Sequence, residues 1–276
     1  LLGELSEVTI RRTKYVLMEA VKQSLRWLCW RKHLITWALD NITCLVASSK
    51  YTQDAVLRFL SLERNGLLPI DIVYPGIELP KMSTNISLTK RKAQWVLTYF
   101  GHFRPRRGVL DVIYSFIVLA KRNPQIRLLL AVSNIHEVFG KPLMEYCKHI
   151  LNKFSVNDKV IWKGIVNDVY SEILFPSDII LLPQREASIK ILEAMAAMKP
   201  VIACDTEWLP EVITNGINGF LVKAGDIQSI VKIIEKLIAN NDLLIRIGRQ
   251  ARETIKRKFS ICLLYTSDAA DELDGV

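Results

Sequence analysis

Short apolar runs alternate with longer helix-forming stretches along most of this chain of 276 residues. Runs at 43–48, 70–74, 95–100, 126–132, 159–162, 178–182 and 201–204 are rich in Val, Ile and Leu, which predicts strands covered on both faces. Helical composition or periodicity predicts helices over 13–39, from Ser49 to about 60, and over 108–122, 142–154, 168–174, 189–198, 226–239 and 242–258. Strand and helix take turns throughout, so the expected fold class is α/β with a doubly wound parallel sheet. The polar, aperiodic stretch KMSTNISLTKR at 81–91 is the expected linker between two domains.

The segment DIILLPQREASIKILEAMAAMKPVIACDTEWLPEVITNGINGFLV, at 178–222, carries the most information. It predicts strand, polar loop, helix, strand, loop and short helix, with Lys199-Pro200 stopping the first helix. A crossover of this length makes the two strands parallel. The loop at 183–188 then lies at the carboxyl edge of the sheet, where open α/β sheets bind ligands. Within the helix Glu193 stands among Leu192, Ala194, Met195, Ala196 and Ala197. Taken alone it is as readily a solvated Glu near a helix N-terminus as a ligand group.

A second loop, GHFRPRRG at 101–108, joins a strand to a helix at the same sheet edge. Three arginines beside a helix N-terminus can hold a diphosphate through guanidinium forks and backbone amides. A charge run is more often a solvated surface, and position at the sheet edge is what raises this one above that default.

Together these blocks resemble glycosyltransferase family 4, retaining sugar transferases of the GT-B fold. Such proteins carry a loop Glu, a helix reading LEAMA, then G-x-PVIA, then a Glu ahead of N-G-x-x-G-x-L-V. The corresponding residues here are Glu186, 192–196, 199–203, Glu211 and NGINGFLV at 215–222. The likeness extends over most of 42–260, with 100–108 as its second block. It implies two Rossmann-like domains, the first incomplete, in an N-terminally truncated fragment. Residues 1–88 would be the remainder of the acceptor-side domain, 89–245 the nucleotide-sugar domain, and 246–261 a terminal helix crossing back. The tail at 262–276, with four acidic residues and no basic one, is expected to be non-native.

The resemblance further implies transfer of a sugar from a nucleotide-diphosphate donor to an acceptor hydroxyl of a glycan or lipid-linked glycan, with retention of configuration. Glu186 and Arg107 are the implied catalytic residues. Gly101, His102, Arg107, Ser188, Ile189, Lys190 and Glu193 are the implied donor-binding residues, with Glu193 on the ribose diol and Glu186 on sugar hydroxyls. The family's Arg and Lys fall on His102 and Arg107, so Arg104 or Arg106 is left to supply the missing charge. The two glutamates are usually spaced eight apart, but Glu186 and Glu193 are separated by seven positions. Either the loop is one residue short and Glu186 still serves, or the first carboxylate is lost and Arg185 stands in its place. Ser188 replaces the family's loop Gly. Glu211 is expected to be a structural neighbour of a cap.

Half the residues are hydrophobic and 24% are charged, as in a globular chain. The formal charge is +9, or +13 without the four acidic residues of the tail. No Asp-x-Asp stands at a strand end and no Cys or His spacing suits a metal, so neither metal nor cofactor is expected. The expected partners are a nucleotide-sugar donor and a glycan or lipid-linked acceptor, and no nucleic-acid motif is present. The chain has no apolar run long enough to span a bilayer. Trp27, Trp30 and Trp37 among Arg26, Arg31 and Lys32 suit peripheral contact with a membrane. A cytoplasmic protein, at the inner face of the membrane, is the expectation. The competing readings are a catalytically weak GT-B partner subunit and another GT-B enzyme such as a nucleotide-sugar epimerase.

Overall fold

The computed structural model describes residues 45–63, 70–81, 94–133 and 140–261. The expected helix at 13–39 with its tryptophans, nearly all of the linker, and the tail lie outside these residues. The chain falls into two compact units, and the first contributes only 45–46, 59–63 and 70–71 to the described residues. The second holds 47–58 and everything described from Ile72 onward, which includes the main sheet and the candidate site.

In chain order the elements are β1 (Leu45–Ala47), α1 (Lys50–Glu63), β2 (Ile70–Ile72), β3 (Trp95–His102), α2 (Val109–Arg122), β4 (Ile126–Ser133), α3 (Gly140–Lys153), β5 (Val160–Lys163), β6 (Ile179–Leu182), α4 (Lys190–Ala196), β7 (Val201–Cys204), α5 (Leu209–Val212), β8 (Phe220–Val222), α6 (Ile227–Ala239) and α7 (Asn241–Lys258). β1 pairs with β2. The other six strands form one sheet in the order β5-β4-β3-β6-β7-β8, and every pair is parallel. The strand order reverses between β3 and β6, which opens a crevice outside their carboxyl ends.

The central strands are continuous apolar runs because helices cover both faces. All four residues of β6 and all four of β7 are buried. α4 is enclosed by the core through Ile191, Leu192, Ala194, Met195 and Ala196. It is shorter than expected, since Met198 takes a left-handed φ of 59° and turns the chain. Buried Lys199 then donates to the carbonyls of Phe175 and Ser177 at 3.0 and 2.7 Å. At 168–174 the chain forms a π-helix, Tyr170–Leu174. β8 is an element the periodicity does not reveal, since an edge strand of three residues shows no alternation. α7 ends against the chain entering the second unit: Ser260 bridges Ile77, and the ring of Phe259 stands edge-on to Tyr74.

Candidate active site at the sheet switch point

The two loops that matter leave the carboxyl ends of β3 and β6, and a glycine brings them together. Gly108 has φ 71°, and a Cβ there would lie 2.0 Å from the Pro183 carbonyl oxygen. Only glycine permits that backbone conformation and that approach. Further on, the Arg185 N–H donates to the Arg106 carbonyl at 3.1 Å.

Across this junction Arg107 binds two residues of the other loop. Its guanidinium donates to Gln184 Oε1 at 2.9 Å and lies 3.3 Å from Glu186 Oε2. Arg106 is 3.7 Å from the same carboxylate, but its side chain is 79% exposed against 24% for Arg107. Arg107 is therefore the held guanidinium and Arg106 the solvated one. Arg185 is exposed, and its charge is felt at Cys204, the last residue of β7. The Cys204 thiol is pushed up to about 11, chiefly by burial. Of the two residues at issue in this loop, Glu186 lies against Arg107 and Arg185 is exposed.

Glu207 holds that loop from the far side. Its Oε2 accepts the Ala187 N–H at 2.6 Å, and Thr206 Oγ1 donates to the Arg185 carbonyl at 3.4 Å. Glu207 does so from a φ of 48°, a left-handed conformation that a non-glycine residue adopts at a cost of about 1–3 kcal/mol. Neither Gln184 nor Glu207 is distinguishable in the sequence, where each is one polar residue in a polar loop. Their roles depend on a contact made across the switch point.

A cavity of about 260 Å³ opens beside this junction, over the carboxyl ends of β3, β4 and β5. Phe100, Gly101, Val132, Gly164, Ile165 and Val166 make its walls largely apolar, and Lys190 and Glu193 are its charged members. Burial raises the Glu193 carboxyl, with Lys190 opposing that shift. Burial lowers the Lys190 ammonium, Glu193 raises it and Arg107 lowers it further. Arg107, Lys190 and Glu193 thus share one electrostatic neighbourhood. Tyr170 is pushed up to about 12, first by burial and then by the charge of Glu193.

The remaining expected residues take supporting positions. Gly101 lines the cavity, and the His102 carbonyl accepts the Tyr99 hydroxyl at 2.8 Å. Ser188 and Ile189 form the turn into α4, and the Lys190 N–H reaches Ser188 Oγ at 3.4 Å. Glu211 is a cap: its carboxylate accepts the N–H groups of Lys50 and Tyr51 at 3.0 and 2.7 Å, at the start of α1. The Tyr74 hydroxyl donates to it at 2.7 Å. Among the described residues no group of His, Cys, Asp and Glu is arranged to hold a metal ion. None of their helices is long and apolar enough to cross a membrane.

The family model described as glycosyl transferases group 1 matches residues 84–254, which include both loops and the cavity. N-acetyl-alpha-D-glucosaminyl L-malate synthase of Bacillus anthracis is 27% identical over 177 residues, 61% of this chain and 42% of that protein. The capsular polysaccharide biosynthesis glycosyltransferase CapM of Staphylococcus aureus is 27% identical over 177 residues, 62% of this chain and 44% of that protein. The chain therefore spans less than half the length of either relative. Among solved structures, HepE of Anabaena in complex with UDP and glucose superposes with a TM-score of 0.68 at 20% identity, covering 85% of this chain and 63% of that one. That likeness supports the α/β, GT-B architecture expected from the resemblance. By the extent of the family match, the chain belongs to the glycosyl transferases of group 1.

Proposed function

We propose that this chain carries the donor side of a glycosyltransferase, moving a sugar from a nucleotide-diphosphate donor to an acceptor hydroxyl of a glycan or lipid-linked glycan. The observation that carries it is the cavity holding Lys190 and Glu193, next to the Arg107–Glu186 pair at the strand-order reversal. The apolar walls suit a base, and Glu193 suits the ribose diol, to which an ionised carboxylate offers strong acceptors. Arg107, with the amides of Ser188 and Ile189, would face the diphosphate. There the leaving group gains negative charge, and positive charge preset in a half-dry site lowers the barrier. Glu186, braced by Arg107 and by the Glu207-held loop, would accept hydrogen bonds from sugar hydroxyls. Retention of configuration is what the family resemblance implies for this chemistry.

The donor carries its own leaving group and guanidinium supplies the countercharge, so the scheme requires no resident metal or cofactor. The excess of basic residues suits work at the inner, cytoplasmic face of a membrane bearing anionic lipid, where a lipid-linked acceptor would lie. HepE was solved with UDP, which makes UDP a fitting first probe. Calorimetric titration of the chain with UDP, GDP and ADP should give saturable binding to at least one of them. Binding to none would refute the donor-site assignment.

A further inference from the structure

We propose that the Lys190 side chain supplies the second positive charge on the donor diphosphate, opposite Arg107. This rests on the donor-site assignment above and adds which residue replaces the charge missing at His102.

The two arginines that could fill the gap from the same loop face outward. Arg104 is exposed, and Arg106 is both exposed and engaged with Glu186. Lys190 comes instead from the β6 half of the sheet and lines the cavity. Its Nζ lies 5.8 Å from the centroid of the Phe100 ring, over the end of β3. A Cβ on Gly101 would stand 3.2 Å from that Nζ, and Gly101 has a φ of 145° that favours glycine. The lysine arm therefore crosses the switch point through a path that a side chain at 101 would narrow.

Its environment suits an anion that is not part of the protein. The Nζ donates no hydrogen bond to the described residues; burial chiefly disfavours its protonated form, the nearby Glu193 carboxylate favours it, and the like charge of Arg107 disfavours it. Two cations held near one another in a half-buried site cost stability. A diphosphate placed between them offsets that cost. An ammonium is also a compact point charge that meets phosphate oxygens without the fixed plane of a guanidinium.

Lys190→Met keeps the stem and removes the charge. Calorimetry would compare the nucleoside diphosphate that the unaltered chain binds best, among UDP, GDP and ADP, with its monophosphate. Lys190→Met should weaken the diphosphate roughly ten- to a hundredfold, as for loss of one charge-assisted hydrogen bond, and the monophosphate clearly less. Lys190→Arg should recover part of the loss, and the melting temperature of Lys190→Met should not fall. Unchanged diphosphate affinity, or equal losses for both nucleotides, overturns the assignment of Lys190 alone. Failure of the unaltered chain to bind any of the three overturns the donor-site assignment, and this inference with it.

Discussion

Glu193 and Glu211 stand on successive short helices, α4 and α5, yet they are treated in opposite ways. Glu211 is saturated: two backbone N–H groups and one hydroxyl point at its carboxylate. Glu193 is half-buried beside a cavity and its carboxylate accepts no hydrogen bond from the described residues, with the Lys190 charge as its nearest compensation. Desolvating a carboxylate without donors costs stability, whereas one that caps a helix returns it. A saturated carboxylate is explained by the fold it holds. An unsaturated one in a cavity is explained by what it would bind. The same contrast separates Arg107, held by Gln184 and Glu186, from the solvated Arg106.

The largest effect should come from the held arginine. Arg107→Ala should lower turnover about a hundredfold or more, the size expected for removing a preset donor at developing negative charge. Arg104→Ala should change it by less than roughly threefold. Equal losses in a donor-sugar assay would mean that the loop shares its charge and that Arg107 is not singled out.

Glu211→Ala should act on stability instead. It removes the cap of α1 and leaves the Tyr74 hydroxyl without its acceptor, for a loss of about 2–3 kcal/mol in chemical denaturation. Nucleotide affinity should stay within about twofold. A stable variant, or one that loses nucleotide binding while folded, would erase the distinction between the two carboxylates.

Glu207→Gly should be close to neutral for stability, within about 1 kcal/mol, because the lost bond to the Ala187 amide is offset by release of the left-handed strain. Hydrogen exchange at Ala187 should nevertheless rise. Unchanged exchange would show that the loop is held without Glu207.

The alternation of apolar runs and helical stretches was sufficient to read the α/β class and the strands of the main sheet from β3 to β7, while the blocks around 100–108 and 186–222 were legible as motifs through the family resemblance. Three things were not legible. β8 is too short for a periodic signal. The Gly108–Pro183 approach and the Gln184, Glu207 and Lys190 contacts join residues that no spacing rule connects. The surroundings of Glu186 and Arg185 depend on where this loop is tied down. The Arg185 N–H bond to Arg106 and the Glu207 bond to Ala187 fix its two ends and leave Glu186 toward Arg107. Glu211 could be read as a neighbour of a cap, but the helix it caps lies about 160 residues away in sequence.

The smallest effect is a pH dependence. Burial raises the Glu193 carboxyl, so the folded chain takes up this proton more readily than the unfolded one. Its contribution to stability is complete below the ordinary carboxylate range and is lost as pH rises through the raised value. Glu193→Gln removes that dependence. The melting temperature of the variant relative to the unaltered chain should therefore climb as pH rises above the ordinary carboxylate range. A flat difference would mean that Glu193 is as well solvated when folded as when unfolded.

The central claim is that Glu193 is kept for a ligand and Glu211 for the fold. One calorimetric experiment addresses it directly: titrate the nucleoside diphosphate that the chain binds best into the unaltered protein, Glu193→Gln and Glu211→Gln, each first shown to be folded. Affinity should drop roughly ten- to a hundredfold for Glu193→Gln and remain within about twofold for Glu211→Gln. Equal affinities for all three, or a loss confined to Glu211→Gln, would contradict it.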